Sequence, residues 1–165
     1  MSPNTKPSIT GWYKNLWRYG PTKASVCAPL SSISNFDSES SDVDLKPKGW
    51  WFSIGNDWSE WWSSEMEDKK RVAYRAQLFV PKGQLIVIQT VKDVMGITER
   101  YGEKTRWGTF LDWGKLRADH PDKKGILMRV RPYRIEGAEW LSGWDVLSGA
   151  VWNTDGIRLG PIERT

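Results

Sequence analysis

The stretch VAYRAQLFVPKGQLIVIQTVKDVMGITERY, residues 72–101, decides the fold class. Val72, Tyr74, Ala76, Leu78 and Val80 fall on one side of a period-two pattern, with Arg75 and Gln77 on the other, as a half-buried strand requires. Pro81-Lys82-Gly83 is a turn signal. Residues 84–89 (QLIVIQ) are nearly all apolar and predict a central strand buried on both faces. Thr90, with Asp93 three positions on, predicts a capped helix over 91–101. Gly96 inside that helix weakens it by about 1 kcal/mol relative to alanine.

Working outward, residues 15–19 (NLWRY) predict a strand that ends at Gly20-Pro21, and residues 48–54 (KGWWFSI) predict another. Residues 57–70 predict a helix with Asp57 as cap and Glu60 as its capping-box partner. Its Trp58, Trp61, Trp62 and Met66 keep helical spacing and read as core, and Lys69, Lys70 and Arg71 complement its C-terminal dipole. Residues 110–119 predict a short helix that Asp112 can cap. Strands are expected over 124–133 and over 143–152, the latter with Trp144, Val146, Ser148, Ala150 and Trp152 on one face, and a last short one over 156–159. Strands interleaved with about three helices make an α+β domain. It is expected to span residues 11–165, with a flexible tail at 1–10 and a long polar loop at about 22–46.

Length and composition suit one domain with a real core: 165 residues, 39% hydrophobic and 27% charged. No apolar run approaches the roughly 20 residues that span a bilayer. Residues 1–9 are polar, contain two prolines and lack a secretory signal's apolar stretch, so a cytoplasmic location is expected. One cysteine, Cys27, allows no intrachain disulfide, and one histidine, His120, excludes a zinc site built from several His and Cys ligands. No metal site is expected. His120 sits in the charged sequence Asp119-His120-Pro121-Asp122 and reads as a solvated loop residue.

Charge is uneven. Residues 37–68 hold nine acids and two lysines, whereas residues 69–134 hold sixteen bases and six acids. A basic face of that kind suits nucleic acid, nucleotide phosphates or an acidic partner. Twelve tryptophans exceed what a small core easily absorbs, so some are expected to line a cleft or a surface on which planar rings stack. Phosphate-binding glycine loops, dinucleotide fingerprints and nucleophile elbows are absent from the sequence.

Two stretches carry a resemblance. Lys46-Pro47-Lys48-Gly49-Trp50-Trp51-Phe52-Ser53, followed by Trp58 and Trp61-Trp62, resembles a pattern KPKGLWFS…W..W. The stretch GWDVLSGAVWN, residues 143–153, resembles GWDVASGCIWN. Small uncharacterised phage and bacterial proteins carry both in this order, and their pattern is similar to the ADP-ribosyltransferase fold. The resemblance implies a split, mostly antiparallel sheet with an NAD cleft between its halves. It implies that Arg18 and Tyr19 on an early strand, and Trp51 and Phe52 on a second, bind NAD or a related nucleotide, and that Ser53 beside them serves the reaction. The late-strand carboxylate that would stabilise a developing oxocarbenium ion is replaced, at the matching position, by Leu127. Asp145 is the substitute the sequence offers, and without it transferase activity is lost. The rival expectation is a non-enzymatic tryptophan-rich binding module, of the kind a phage uses as an inhibitor or host-interaction protein. It would hold nucleic acid or a host protein through the basic residues 69–134.

Overall fold

A computed structural model of the protein describes residues 11–27, 43–65, 72–131, 135–144 and 146–165. The expected tail, most of the polar loop, Met66, Lys69 to Arg71, Pro132-Tyr133 and Asp145 lie outside the described residues. Four helices and two mostly antiparallel sheets form the α+β domain that the sequence predicts.

The main sheet is built from β1 (Leu16–Gly20), β3 (Trp50–Ile54), β4 (Tyr74–Phe79), β5 (Leu85–Ile88), β8 (Gly125–Met128), β9 (Ser148–Val151), β10 (Arg158–Leu159) and β11 (Glu163–Arg164). Its order is β10-β4-β1-β3-β9-β8-β5, with β11 also on β4. Neighbours run antiparallel, except that β5 and β8 are parallel. A parallel pair needs a crossover, and here the crossover carries α3 (Val91–Tyr101), a hairpin of β6 (Gly102–Thr105) and β7 (Gly108–Asp112), and α4 (Trp113–Asp119). The hairpin and β2 (Val43–Asp44) form the second sheet, ordered β2-β7-β6.

Strand alternation sends neighbouring residues to opposite sides. Ile126 and Met128 of β8 join Trp113, Trp140, Trp144, Val94 and Leu116 in one core. Leu127 joins Leu16, Trp50, Phe52, Leu78 and Val151 in the other. α3 follows its prediction to the residue: the Thr90 side chain accepts from Asp93 N, and the Asp93 carboxylate accepts from Thr90 N. Val94, Thr98 and Tyr101 bury the inner stripe.

Several expectations need correction. Residues 84–89 do not form a central strand; β5 is the sheet's edge, with Ile86 and Val87 only half-buried. A run of β-branched residues reports burial by α3 and α4 as readily as burial between strands. α2 (Asp57–Glu65) is capped differently from the prediction: the Asn56 carbonyl accepts from Glu60 N, and the Asp57 carboxylate reaches across to Leu147 N at 3.4 Å. Its tryptophans are not all core, because Trp58 and Trp61 stay half-buried while Trp62 is buried. Residues 110–112 belong to β7, and the helix starts one residue after Asp112, which caps it through Lys115 N. Trp144 lies not on β9 but at the end of a 3₁₀ turn, Glu139–Gly143. The polar segment 22–46 contains α1 (Lys23–Cys27) and β2.

Candidate functional site

β1 and β3 pair only at Leu16↔Ile54 and Trp17↔Ser53. Beyond that point β3 pairs with β9 through Trp50 to Ser53, while β1 keeps its partners on β4. A cleft of about 260 Å³ opens beside the place where the two strands part. Its lining includes Trp17, Arg18, Tyr19, Trp51, Phe52 and Ser53, with Lys46, Trp58 and Ser148 completing the wall. Five of the six residues singled out from the sequence are therefore in one place. The sixth, Asp145, lies outside the described residues, although Gly143 and Val146 near it in sequence line the cleft.

The residues contribute in different ways. Cross-strand partners share a face, so Trp17, Ser53 and Ser148 stand on the same side of the sheet. Ser148 Oγ donates to the Val146 carbonyl at 3.0 Å. Ser53 is 2% exposed, and among the described residues its Oγ has no hydrogen-bond partner. A buried hydroxyl left unpaired is unfavourable by about 1–3 kcal/mol, so native structures avoid it unless something else satisfies it.

Arg18 follows Trp17 and so leaves the sheet toward the opposite face, where its guanidinium lies 4.2 Å from the Trp50 ring centroid. There Nε donates to the Val26 carbonyl at 3.2 Å, and one terminal nitrogen to the Trp51 carbonyl at 3.0 Å. The other terminal nitrogen donates to the Ser25 carbonyl at 3.4 Å. The side chain thus ties β1 to β3 and α1 beneath the cleft. Among the described residues it has no carboxylate partner. Burial pulls its pKa down from the usual arginine range to about 10. A buried cation held by carbonyl dipoles and an aromatic face, without a counter-charge among the described residues, favours an anion near the cleft floor.

Tyr19 donates its hydroxyl to the Gly55 carbonyl at 3.1 Å, fixing the ring against the end of β3. Phe52 is buried; a Cβ on Gly149 would collide with its ring and with the Ile126 carbonyl, so only glycine at 149 lets β3, β8 and β9 pack at this spacing. Trp51 is half-buried, with Trp144 at 4.9 Å on one side and the Lys46 ammonium 5.2 Å from its ring centroid. Lys46 is exposed and lays its stem against Gly143.

Lys46, Trp17, Trp58 and Ser148 were not assigned to the site from the sequence. Lys46 opens the KPKG stretch quoted for its resemblance, and Ser148 lies in the late aromatic stretch, so both carried a signal. Trp17 carried only its place in a short strand, and Trp58, although part of the quoted resemblance, read as core from its helical spacing, which does not distinguish a wall from a core. Leu127, at the position where the resemblance places a carboxylate, is fully buried among Leu16, Trp50 and Phe52. Among the described residues no carboxylate lines the cleft. No group of three or more His, Cys, Asp or Glu among them is placed to hold a metal ion, and no helix is long and apolar enough to cross a membrane. His120 turns Nδ1 to the Leu116 carbonyl at 2.9 Å, at the end of α4 and away from this cleft. Comparisons with family models, curated proteins and solved structures find no match to this chain.

Proposed function

We propose that the protein is a binding domain for a nucleotide, with NAD the first compound to test, and that it holds the ligand without transferring it. The observation that carries this reading is the buried Ser53 hydroxyl, without a hydrogen-bond partner among the described residues, at the foot of an aromatic cleft with Arg18 beneath and Lys46 at the rim. A planar polar ring seated against Trp51 and Trp58 would supply the missing partner for Ser53 Oγ. Lys46, and at longer range Arg18, would favour the ligand's phosphates.

The cleft's size limits what enters. At about 260 Å³ it lies just below the roughly 300–1,000 Å³ of ordinary small-molecule sites. One ring and its sugar fit inside, and the remainder of a dinucleotide would lie across the rim near Lys46. Breaking the nicotinamide–ribose bond needs an anionic group beside the developing cation, usually the largest catalytic contribution. The lining described here has cations, aromatics and hydroxyls but no such group. Titration calorimetry with NAD, ADP-ribose and nicotinamide, run alongside chromatographic measurement of released nicotinamide, tests both halves. Saturable binding without release supports the proposal. Release at a rate abolished by Asp145→Ala would instead establish cleavage of the nicotinamide–ribose bond, with transfer to water or another acceptor, and no binding of any of the three would refute the nucleotide reading.

A second reading has its own observation. Trp107 is 69% exposed at the tip of the β6–β7 hairpin, with the Arg106 guanidinium 4.5 Å from its ring centroid. Rigid aromatic–arginine pairs stack on unpaired bases, and this one lies within the basic residues 69–134. Salt-dependent binding of a fluorescent single-stranded oligonucleotide, lost in Trp107→Ala, is the expected result if the protein is a nucleic-acid module.

A further inference from the structure

The main sheet ends on β5, which pairs only with β8; its other edge meets no strand among the described residues. An unpaired edge offers a row of backbone donors and acceptors, and proteins usually blunt it with charge, proline, a bulge or a covering element. β5 is Leu-Ile-Val-Ile and carries no charge or proline. Beside it runs a groove of about 510 Å³, floored by Ile86 and Val87 and walled by α3, with His120 at its end.

Three residues of that wall, Lys92, Gly96 and Arg100, recur every fourth position and so form one stripe of the helix. Gly96 is the odd member. It weakens a helix interior by about 1 kcal/mol relative to alanine, its φ is not in the left-handed region, and a Cβ there would meet nothing within 4 Å. Neither backbone strain nor packing inside the chain calls for glycine. What glycine does provide is clearance in the groove between two cations. Asp93, the acid of this lining, is committed to the Gln89 and Thr90 amides. Arg100 is mostly exposed and forms a surface ion pair with Asp119 at 3.6 Å, which an acid of an incoming ligand has to share or displace.

We infer that this edge takes up an extended acidic peptide, which adds to the sheet as a strand beside β5. The spacing specifies its sequence. Lys92 and Arg100 are separated by about 12 Å of helix rise. Two residues four apart on a strand lie on one face about 13 Å apart. The peptide therefore carries acids at its first and fifth positions and a β-branched residue at the third, over Gly96. Main-chain pairing with β5 supplies affinity and the two ion pairs supply selection, as in other cases of strand addition.

The probe is a fluorescein-labelled peptide containing Glu-Thr-Val-Thr-Glu, titrated with the full chain and read by polarisation. Saturable binding is expected, weakened about tenfold or more by Gly96→Leu, a substitution that raises helix propensity and leaves folding intact by circular dichroism. Lys92→Glu combined with Arg100→Glu is expected to reject this peptide and accept its Lys-Thr-Val-Thr-Lys counterpart. No saturable binding up to about 1 mM, or binding indifferent to both sets of variants, overturns the inference. It is also overturned if sedimentation shows the native chain to be a dimer that Gly96→Leu dissociates, since the edge then belongs to a second copy.

Discussion

Replacing Ser53 by alanine separates a hydroxyl kept for the fold from one kept for a ligand. Ser53 Oγ is buried and has no partner among the described residues, so the unliganded protein carries the unfavourable desolvation of that group, about 1–3 kcal/mol. Alanine removes it. The void left by one oxygen, at about 24 cal/mol per Å³, opposes this by only a few tenths of a kcal/mol. The variant is expected to be more stable by about 1–2 kcal/mol, which raises Tm by roughly 2–8 °C for a chain of this length. Ligand binding moves the other way. Loss of one net hydrogen bond worth about 1 kcal/mol weakens affinity roughly fivefold, and about tenfold or more if the ligand is charged there. Urea denaturation with an unchanged m-value gives the first quantity, and calorimetry with NAD gives the second. If Ser53→Ala lowers stability by 1 kcal/mol or more, the hydroxyl has a partner inside the protein. The argument that a ligand completes it then fails.

Arg18→Met keeps the side chain's length but leaves the carbonyls of Ser25, Val26 and Trp51 without their donor. The three lost charge-assisted bonds outweigh the roughly 3 kcal/mol recovered from the buried charge, and a loss of about 2–4 kcal/mol is expected in chemical denaturation. Arg18→Lys is expected to be no better than methionine, because an ammonium cannot span three carbonyls and is more strongly hydrated. Lys46→Glu lowers stability by no more than about 1 kcal/mol, the worth of an exposed contact with the Trp51 ring, but weakens nucleotide binding several-fold at low salt, with the difference shrinking as salt rises. Gly149→Ala forces a Cβ into the Phe52 ring and the Ile126 carbonyl, and is expected to lower stability by about 3 kcal/mol while abolishing binding. The Asp93 carboxyl is held below its usual pKa by the Gln89 amide and then the Thr90 amide, and Glu139 by the Thr109 amide and then its own. Both pKa values are depressed on folding, so their stabilisation is complete above the unfolded carboxylate range and disappears as pH falls through it toward the folded values. Asp93→Asn and Glu139→Gln should each flatten the acid side of a Tm–pH curve.

What could be read from the sequence follows a physical division. α3 was legible to its caps because Thr90 and Asp93 act locally, within one turn, and because Val94, Thr98 and Tyr101 repeat with the helix. β4 was legible because alternation needs only the strand itself, and β1 and β3 because short aromatic-rich runs, the first closed by the Gly20-Pro21 turn signal, favour extended backbone. The β6–β7 hairpin was not. Its residues are mostly polar, its tip is Arg106-Trp107, and its support is distant: the Glu139 carboxylate accepts from Thr109 N and occupies the space a Cβ on Gly108 would need. The position of β5 at the edge was also hidden, because which strand is last depends on the crossover through α3 and α4. For the candidate site, Arg18, Tyr19, Trp51, Phe52 and Ser53 came from a resemblance in order along the chain. Composition and spacing alone singled out only the surplus of tryptophan. The opposite faces taken by Arg18 and Ser53 follow from the pairing of Trp17 with Ser53, which no local pattern states.

The tryptophan surplus itself has two causes. One is stapling. Trp113 donates its indole N–H to the Asp44 carbonyl at 3.0 Å, Trp140 to Thr98 Oγ at 2.9 Å and Trp152 to the Lys123 carbonyl at 3.2 Å. Each is a large apolar body that also ties down a segment far away in sequence, a task to which a chain with one cysteine cannot set a disulfide. The other cause is the cleft. Trp51 reaches from its wall to Trp144, which packs against Trp113 and Trp140. Trp58 stands on α2 in contact with Trp61 and Trp62. The wall is thus continuous with packed aromatic groups on two sides, and its rings have little freedom to lose when a ligand arrives. A rigid wall of that kind favours affinity through preorganisation rather than closure. Binding should therefore quench tryptophan fluorescence in one fast phase, without the slower step that an ordering lid would add.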